Sequence, residues 1–331
     1  MTAALNEDFK GAVNFLHTGE RFLVVSHVNP DGDAIGSTCA VGRILEKLGK
    51  AFVLVNASKV PEKFKFLPGA QQIRSLEEAG DMEPFSRVVA VDVADAARMG
   101  EISPMLTGDA EVLNIDHHVT NDRFGAVNLV IDDAAATAEV LCHLADALGV
   151  EWDQPLAECL YTGLLTDTGG FRYSNTTHNV MELAARLLGQ GVDAAEIADR
   201  AIETISRSQL ALLRRALDTL AFSESGQVAW MWLTRQDFTE AEAAEDEMEG
   251  IVNYARNVAG VDVGILFRET PEGEVKVSLR SREVVDVGEL AQSFGGGGHA
   301  RAAGCTLTGT RKQVEEEILV RVTQRLQRGD G

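Results

Sequence analysis

Three short apolar runs, each closing on acids and histidines, organise the N-terminal part of the chain: RFLVVSHVNPDGD (21–33), RVVAVDVAD (87–95) and EVLNIDHH (111–118). Continuous apolar runs of this length, without the alternation of a one-sided sheet, are strands covered on both faces. The segment between the first two reads as a helix, DAIGSTCAVGRILEKLG (33–49), followed by another strand, AFVLVNA (51–57). Ile35, Cys39, Ile44, Leu45 and Leu48 recur near the helical period, and Gly49 supplies a stop. Strands alternating with helices imply a mostly parallel sheet. In such sheets ligands bind beyond the carboxyl ends of the strands. His27, Asp31, Asp33, Asp92, Asp95, Asp116, His117 and His118 all fall there, so they can converge on one crevice.

After about residue 135 the pattern turns helical, through TAEVLCHLADALG, PLAECLYTGLLTDTG, THNVMELAARLLGQG and DAAEIADRAIETI, with SRSQLALLRRALDTLAF as a further helix and connector. Strand patterns resume at QVAWMWLTRQDF, VDVGILFRET and EVKVSLRSRE, followed by the helix VGELAQSF and a glycine run. The expected fold class is α/β: a mostly parallel N-terminal sheet flanked by helices, joined by a helical linker to a smaller α/β substrate-binding domain. The expected spans are 1–195 for the catalytic domain, 196–222 for the linker and 223–331 for the second domain. The acidic run EAEAAEDEMEG is read as a solvated loop or helix start and carries no chemistry.

Each acidic element has an ordinary reading by itself. Asn-Pro-Asp-Gly is turn chemistry, and Asp31-x-Asp33 opens no EF-hand, because the twelfth loop position is Gly42 rather than Glu. Adjacent histidines can simply end a strand. Asp167, at the end of a strongly apolar helix, is a fourth such element in the same domain, and together they favour a site. Crowded carboxylates repel one another unless cations neutralise them. Carboxylates mixed with imidazoles suit Mn²⁺ or Zn²⁺ better than Ca²⁺. Two ions sharing a carboxylate, roughly 3.5–4 Å apart, would activate water and clamp a phosphoryl group.

Charge narrows the substrate. The 331-residue chain has a formal net charge of −21, which argues against the basic face needed for a long nucleic-acid footprint. A small phosphorylated molecule held at a few positive points remains compatible. The opening residues lack a basic n-region and an apolar h-region, no run is long and apolar enough to span a bilayer, and the four cysteines are scattered. The expectation is a cytoplasmic protein with no membrane partner and no disulfide framework.

In their order, SHVNPDGDAIGS, VDVAD, NIDHHVTND, YTGLLTDTGGFRYSNTT and GGGGHARAAG closely resemble the DHH phosphoesterase family. Within it they are similar to the nanoRNase and pAp phosphatase branch, which carries a DHH-associated C-terminal domain. The resemblance runs from about Arg21 to Leu307. It implies His27, Asp31 and Asp92 as ligands of one divalent metal ion, with Asp33, Asp92, His117 and Asp167 holding a second, Mn²⁺ being the expected ion. It also implies that His118 faces the scissile phosphate as donor to the leaving oxygen, and that Asp116 orients a histidine. Asn29, Asp95 and Arg98 are lesser candidates near metal or substrate. The glycine run follows a helix rather than a strand, so it is no dinucleotide-fold fingerprint. In the family this loop holds the nucleotide, and the matching positions are Gly296, Gly297, Gly298 and His299, with Arg280 and Arg256; Arg256, Arg282 and Arg301 are equally well read as surface charges. His17, His143 and His178 are read as structural or exposed.

The implied activity is hydrolysis of nanoRNA, of linear dinucleotides such as pGpG or pApA, and of pAp, by a metal-bridging hydroxide attacking phosphorus to leave nucleoside 5′-monophosphates. Short RNA or DNA oligonucleotides are the expected partners, and a homodimer the expected assembly. A pyrophosphatase or exopolyphosphatase, a RecJ-type exonuclease and a non-catalytic cyclic-dinucleotide sensor are the alternatives. The GGGGHARAAG loop weighs against the first, and the full ligand set against the last.

Overall fold

The computed structural model describes residues 7–80, 82–248 and 250–329. The chain divides into two compact units, Met1–Thr204 and Ile205–Gly331. Glu249 of the acidic run, and the extreme ends of the two expected domains, lie outside the described residues.

The first unit carries strands β1 (Arg21–Val25), β2 (Ala51–Asn56), β3 (Arg74–Ser75), β4 (Phe85–Val91), β5 (Leu106–Asp116) and β6 (Val127–Val130). They form one sheet in the order β3-β2-β1-β4-β5-β6, and every pairing in it is parallel. The chain winds outward one way through β2 and β3 and the other way through β5 and β6, so the strand order reverses between β1 and β4. That is the topological switch point where such sheets open a crevice. The inner strands are buried along their length, as their apolar runs require: Phe22 to Val25 and Val88 to Val91 are all inaccessible.

Helices α1 (Glu7–Thr18), α2 (Gly32–Lys47), α3 (Leu76–Ala79), α4 (Thr137–Ala147), α5 (Gln154–Asp167), α6 (His178–Leu188) and α7 (Ala194–Ala198) complete this unit. Helices α2 and α5 pack with almost no side chain between them. A Cβ on Gly36 would lie 2.5 Å from the Cys159 carbonyl oxygen, and one on Gly32 would lie 2.4 Å from Thr166. The close approach matters because α2 begins, and α5 ends, at the acidic cluster.

The second unit holds α8 (Arg207–Asp218), β7 (Ala221–Phe222), β8 (Val228–Leu233), α9 (Arg235–Ala241), α10 (Ile251–Arg256), β9 (Val263–Glu269), β10 (Val275–Ser281), α11 (Val287–Gln292), β11 (Gly297–His299), β12 (Ala302–Leu307) and α12 (Arg311–Gly329). Its sheet runs β11-β12-β10-β9-β8-β7, with only β8 and β9 parallel. Helix α8, within the expected linker, buries Leu212, Leu213 and Ala216 with Ala229, Met231 and Leu233 of β8, and so belongs to this unit's core. The RQDF tetrad, read as the end of a strand, instead opens α9: Thr234 caps it in a reciprocal box with Asp237. Among the described residues no helix is long and apolar enough to cross a membrane.

Alanine at position 36 should lower stability by about 1–3 kcal/mol in urea unfolding, because overpacking against a backbone carbonyl outweighs the helix-propensity gain. An unchanged or raised urea midpoint would contradict this account of the α2–α5 contact.

Candidate active site

The switch point gathers the acids and histidines. His27 lies two residues past β1, Asp92 directly follows β4, Asp116 ends β5 with His117 and His118 after it, and Asp167 ends α5. Asp31 caps the N-terminus of α2, accepting from the backbone N–H groups of Asp33 and Ala34 at 3.1 Å each. Within the first unit three groups of potential ligand atoms form among the described residues, each within 4.8 Å: His27 with Asp31 and Asp92, Asp33 with Asp92 and His117, and Asp92 with Asp116 and His118. Asp92 belongs to all three. It sits in the left-handed region, at φ 59°, a conformation a short acid tolerates better than a bulky residue; this turns its carboxylate into the middle of the cluster.

The histidines are oriented from behind. His27 Nδ1 lies 2.8 Å from the Val28 carbonyl oxygen and His117 Nδ1 3.2 Å from that of Ala134. A carbonyl only accepts, so Nδ1 carries a proton and each ring, when neutral, presents the lone pair of Nε2 to the acids. His27 Nε2 is 3.4 Å from Asp92 Oδ2, while His117 Nε2 is 3.7 Å from Asp92 Oδ1 and 3.3 Å from Asp167 Oδ2. Lone pairs aimed at carboxylates repel unless a proton or a metal cation lies between them. This donor set, imidazole nitrogens and carboxylate oxygens with the imidazoles held by backbone carbonyls, fits divalent transition-metal ions.

Protonation shows the same shortage of positive charge. Burial disfavours the imidazolium forms, yet Asp31 and Asp92 raise His27 well above its ordinary value, as Asp167, Asp92 and Asp33 do for His117. Burial, reinforced by Asp92 and Asp167, pushes Asp33 well above the usual carboxylate range. Burial likewise pushes Asp167 up to about 6, with Asp31 and Asp92 adding to the effect and His117 opposing it. Against the cost of burial, His27 holds Asp31 and Asp92 low.

One short segment ties these groups together. The Thr137 and Ala138 N–H groups, at the start of α4, donate to Asp33 at 2.6 and 3.0 Å, and Ser37 Oγ donates to it at 3.2 Å. Thr137 Oγ1 donates to Asp92 Oδ1 at 3.0 Å, the Ala134 carbonyl holds His117, and Asn175 Nδ2 bridges the Ala135 and Asp167 carbonyls. Glu139, buried, fixes the segment through the Ala135 N–H at 2.7 Å. Asp116, fully buried, accepts from His118 Nδ1 at 2.8 Å and from Asn121 Nδ2 at 2.6 Å. Gly163 is required beside them, since a Cβ there would come within 2.4 Å of Asp33 Oδ1. Sequence reading missed Thr137, Glu139, Asn121, Asn175 and Gly163. Their only signal was position inside or beside the motif segments.

The lesser candidates are placed differently. Asp95 caps the short helical turn that bears Arg98, and the Arg98 carbonyl receives the Val28 N–H at 2.8 Å. Asn29, at φ 55°, anchors its N–H on Ser58 Oγ. These contacts hold the loops around His27.

In the second unit the register aligns the other candidates. Arg280 on β10 pairs with Gly264 on one side and Ala302 on the other, and Ala302 pairs with His299. Residues directly opposite share a sheet face, so Arg280 and His299 flank a small alanine. A Cβ on Gly264 would lie 2.4 Å from the Arg256 backbone nitrogen, so Arg256 sits beside the same row. Gly296 and Gly298 are demanded by packing: a Cβ would fall 2.1 Å from the Gly304 carbonyl oxygen and 2.5 Å from that of Ala302. Gly297 meets nothing within 4 Å, leaving its backbone approachable. Arg282 donates to the Arg256 and Asn257 carbonyls at the end of α10, and Arg301 to that of Val285, so both serve the fold.

A parallel sheet with histidines and carboxylates gathered at its switch point defines an α/β protein built to hold cations beside a ligand. The DHH family's N-terminal domain matches residues 21–164, and the DHHA1 domain matches 225–328. The bifunctional oligoribonuclease and PAP phosphatase NrnA of Thermus thermophilus is 40% identical over 306 residues, covering 92% of this chain and 90% of that protein. Its namesake from Bacillus subtilis is 26% identical, covering 87% and 90%. An exopolyphosphatase-related protein of Bacteroides fragilis superposes with a TM-score of 0.87 at 27% identity, covering 99% of this chain and 98% of that one. The chain belongs to the DHH family, in its NrnA-like group, and carries the DHHA1 domain.

In chelator, the raised pKa values give a definite pH dependence. A folded chain whose Asp167, Asp33, His27 and His117 bind protons more tightly than the unfolded chain loses that stability as pH rises through the folded values, Asp167's lying at about 6. The lowered Asp31 and Asp92 act oppositely, and only below about pH 4. The melting temperature of chelated protein should therefore fall from pH 5 to pH 8, and fall less in Asp167→Asn. Equal slopes for the two proteins would refute this electrostatic reading.

Proposed function

We propose that this chain is a divalent-metal-dependent phosphoesterase that cleaves very short oligonucleotides to nucleoside 5′-monophosphates and removes the 3′-phosphate of pAp. The observation that carries it is the meeting of His27, Asp31, Asp33, Asp92, His117 and Asp167 around one shared carboxylate, in a chain 40% identical to a bifunctional oligoribonuclease and PAP phosphatase. In this reading His27, Asp31 and Asp92 hold one ion, Asp33, Asp92, His117 and Asp167 the other, and Mn²⁺ is the preferred metal. Ions bound there supply positive charge to the phosphoryl group and make water nucleophilic at neutral pH.

The chain's own residues do the rest. His118 is held by Asp116 through Nδ1, which leaves Nε2 to offer a proton to the substrate. That proton passes from Nε2 to the leaving oxygen as its bond to phosphorus breaks. Arg280, with Arg256, His299 and the Gly297 amide, binds the nucleotide: a guanidinium fork suits a terminal phosphate, and glycines let backbone N–H groups approach an anion. Arg98 has a looser role, in substrate contact. The negative net charge agrees with substrates of a few nucleotides, which need no extended basic track. The protein is proposed to act in the cytoplasm as a homodimer.

The test offers labelled RNAs of two, five and twenty-four nucleotides, pAp and inorganic polyphosphate, across several divalent metals. The shortest RNAs and pAp should turn over fastest. Preference for the longest RNA would overturn the nanoRNA reading, and preference for polyphosphate would favour the exopolyphosphatase alternative. Asp92→Ala should abolish turnover and lower the metal bound per chain; full activity with wild-type metal content would sink the shared-ligand assignment. Asp116→Asn should reduce kcat by about 10²–10⁴ with metal content kept; wild-type kcat would remove Asp116 from the mechanism.

A further inference from the structure

Helix α4 buries an acid in its first turn, on a stretch where Ala138, Val140, Leu141 and Cys142 are all inaccessible or nearly so. Glu139 is only 7% exposed, and a buried carboxyl group is costly unless donors match its oxygens. Both oxygens are matched. Oε2 accepts the Ala135 N–H at 2.7 Å, and Oε1 accepts from Asn179 Nδ2 at 2.5 Å. A helix cap would need only the first of these bonds; the second carries the contact across to α6. The same Asn179 nitrogen lies 3.4 Å from His143 Nε2, one turn further along α4, so a small polar network joins the two helices.

The network converges on Ala135. Its N–H is held by Glu139, which Asn179 holds in turn, and its carbonyl accepts from Asn175 Nδ2 at 3.2 Å. Asn175 precedes α6 and Asn179 lies in its first turn, so both polar groups of one buried residue are tied to this part of the chain. The residues on either side of Ala135 serve the acidic cluster. The Ala134 carbonyl orients His117, the Thr137 and Ala138 N–H groups hold Asp33, and Thr137 Oγ1 holds Asp92. Among the described residues neither Glu139 nor Asn179 hydrogen-bonds one of these three ligand groups itself. Their reach to the cluster runs through the backbone of the segment.

We propose that Glu139 and Asn179 are positioning residues of the metal centre: by pinning the Ala134–Ala138 segment they set the geometry in which Asp33, Asp92 and His117 meet a divalent cation. The inference rests on the metal-dependent reading given above and adds to it a determinant outside the ligand set. The test compares wild type with Glu139→Met, Asn179→Leu, the double variant and Glu139→Gln. Two quantities are read: the Kd for Mn²⁺ by equilibrium titration, and amide exchange in chelator. Glu139→Met should raise the Kd by about 10–100-fold, the usual effect of removing a group that orients metal ligands. Asn179→Leu should raise it less, and the double variant no more than Glu139→Met alone, because the two residues act in series. In Glu139→Gln the side-chain oxygen can take the Ala135 N–H while its N–H faces a turned-over Asn179 amide, so this variant should bind Mn²⁺ almost as wild type does. In chelator, exchange at Thr137 and Ala138 should quicken on the order of tenfold in Glu139→Met while amides of β1 and β4 keep their protection. An unchanged Kd in both Glu139→Met and Asn179→Leu, or an equal loss of protection in β1 and β4, would overturn the proposal. If wild type binds Mn²⁺ but cleaves no nucleotide while the Kd still depends on Glu139, the phosphoesterase reading falls and the positioning role stands.

Discussion

Mutual repulsion among buried carboxylates is the constraint on which the first unit is organised. Asp33 and Asp92, both buried, are brought within reach of Asp167 and Asp31, which stay partly open to water. No packing arrangement makes that comfortable in itself, and the fold offsets it only partly. The start of α4 directs two N–H groups at Asp33, where the helix dipole also favours negative charge. Two imidazoles are turned toward the acids by backbone carbonyls. What remains is a deficit of positive charge that protons fill at low pH and divalent cations are suited to fill at neutral pH.

Placement of the ligands explains how much the amino-acid sequence could reveal. His27, Asp92, Asp116 and His117 stand at the ends of strands whose apolar runs are unmistakable, and a parallel sheet brings strand ends together by topology alone. The roles of Thr137 and Asn121 were illegible for the opposite reason. Their hydrogen bonds depend on which atom of a neighbouring loop lies within 3 Å, and no periodicity encodes that. Gly163 and Gly36 looked like ordinary small residues in an apolar helix until the α2–α5 approach gave each a backbone or carboxylate neighbour. In the second unit the glycine run looked like a loop throughout, yet Gly297–His299 pairs as a strand, because a chain without side chains can lie closely against β12.

The second unit meets a different demand with the same economy. Its sheet places Arg280 and His299 on either side of Ala302, with a small residue between two polar ones. Arg282 and Arg301 spend their donors on backbone carbonyls. Positive charge is thus sparse and local on a chain whose overall balance is strongly acidic. In the proposed function such a surface would select ligands by a few near contacts rather than by long-range attraction.

The Ala134–Ala138 segment touches Asp33, Asp92, His117 and, through Asn175, the end of α5. The opening of this one segment would therefore release Asp33, Asp92 and His117 together, rather than loosening them one by one. Amide exchange at Thr137 and Ala138 becomes a direct measure of how often this side of the centre comes apart, because those two protons are held by the carboxylate of Asp33 itself. Those three groups are coupled through the first turn of α4, while His27 and Asp31 are anchored separately on the β1–α2 connection.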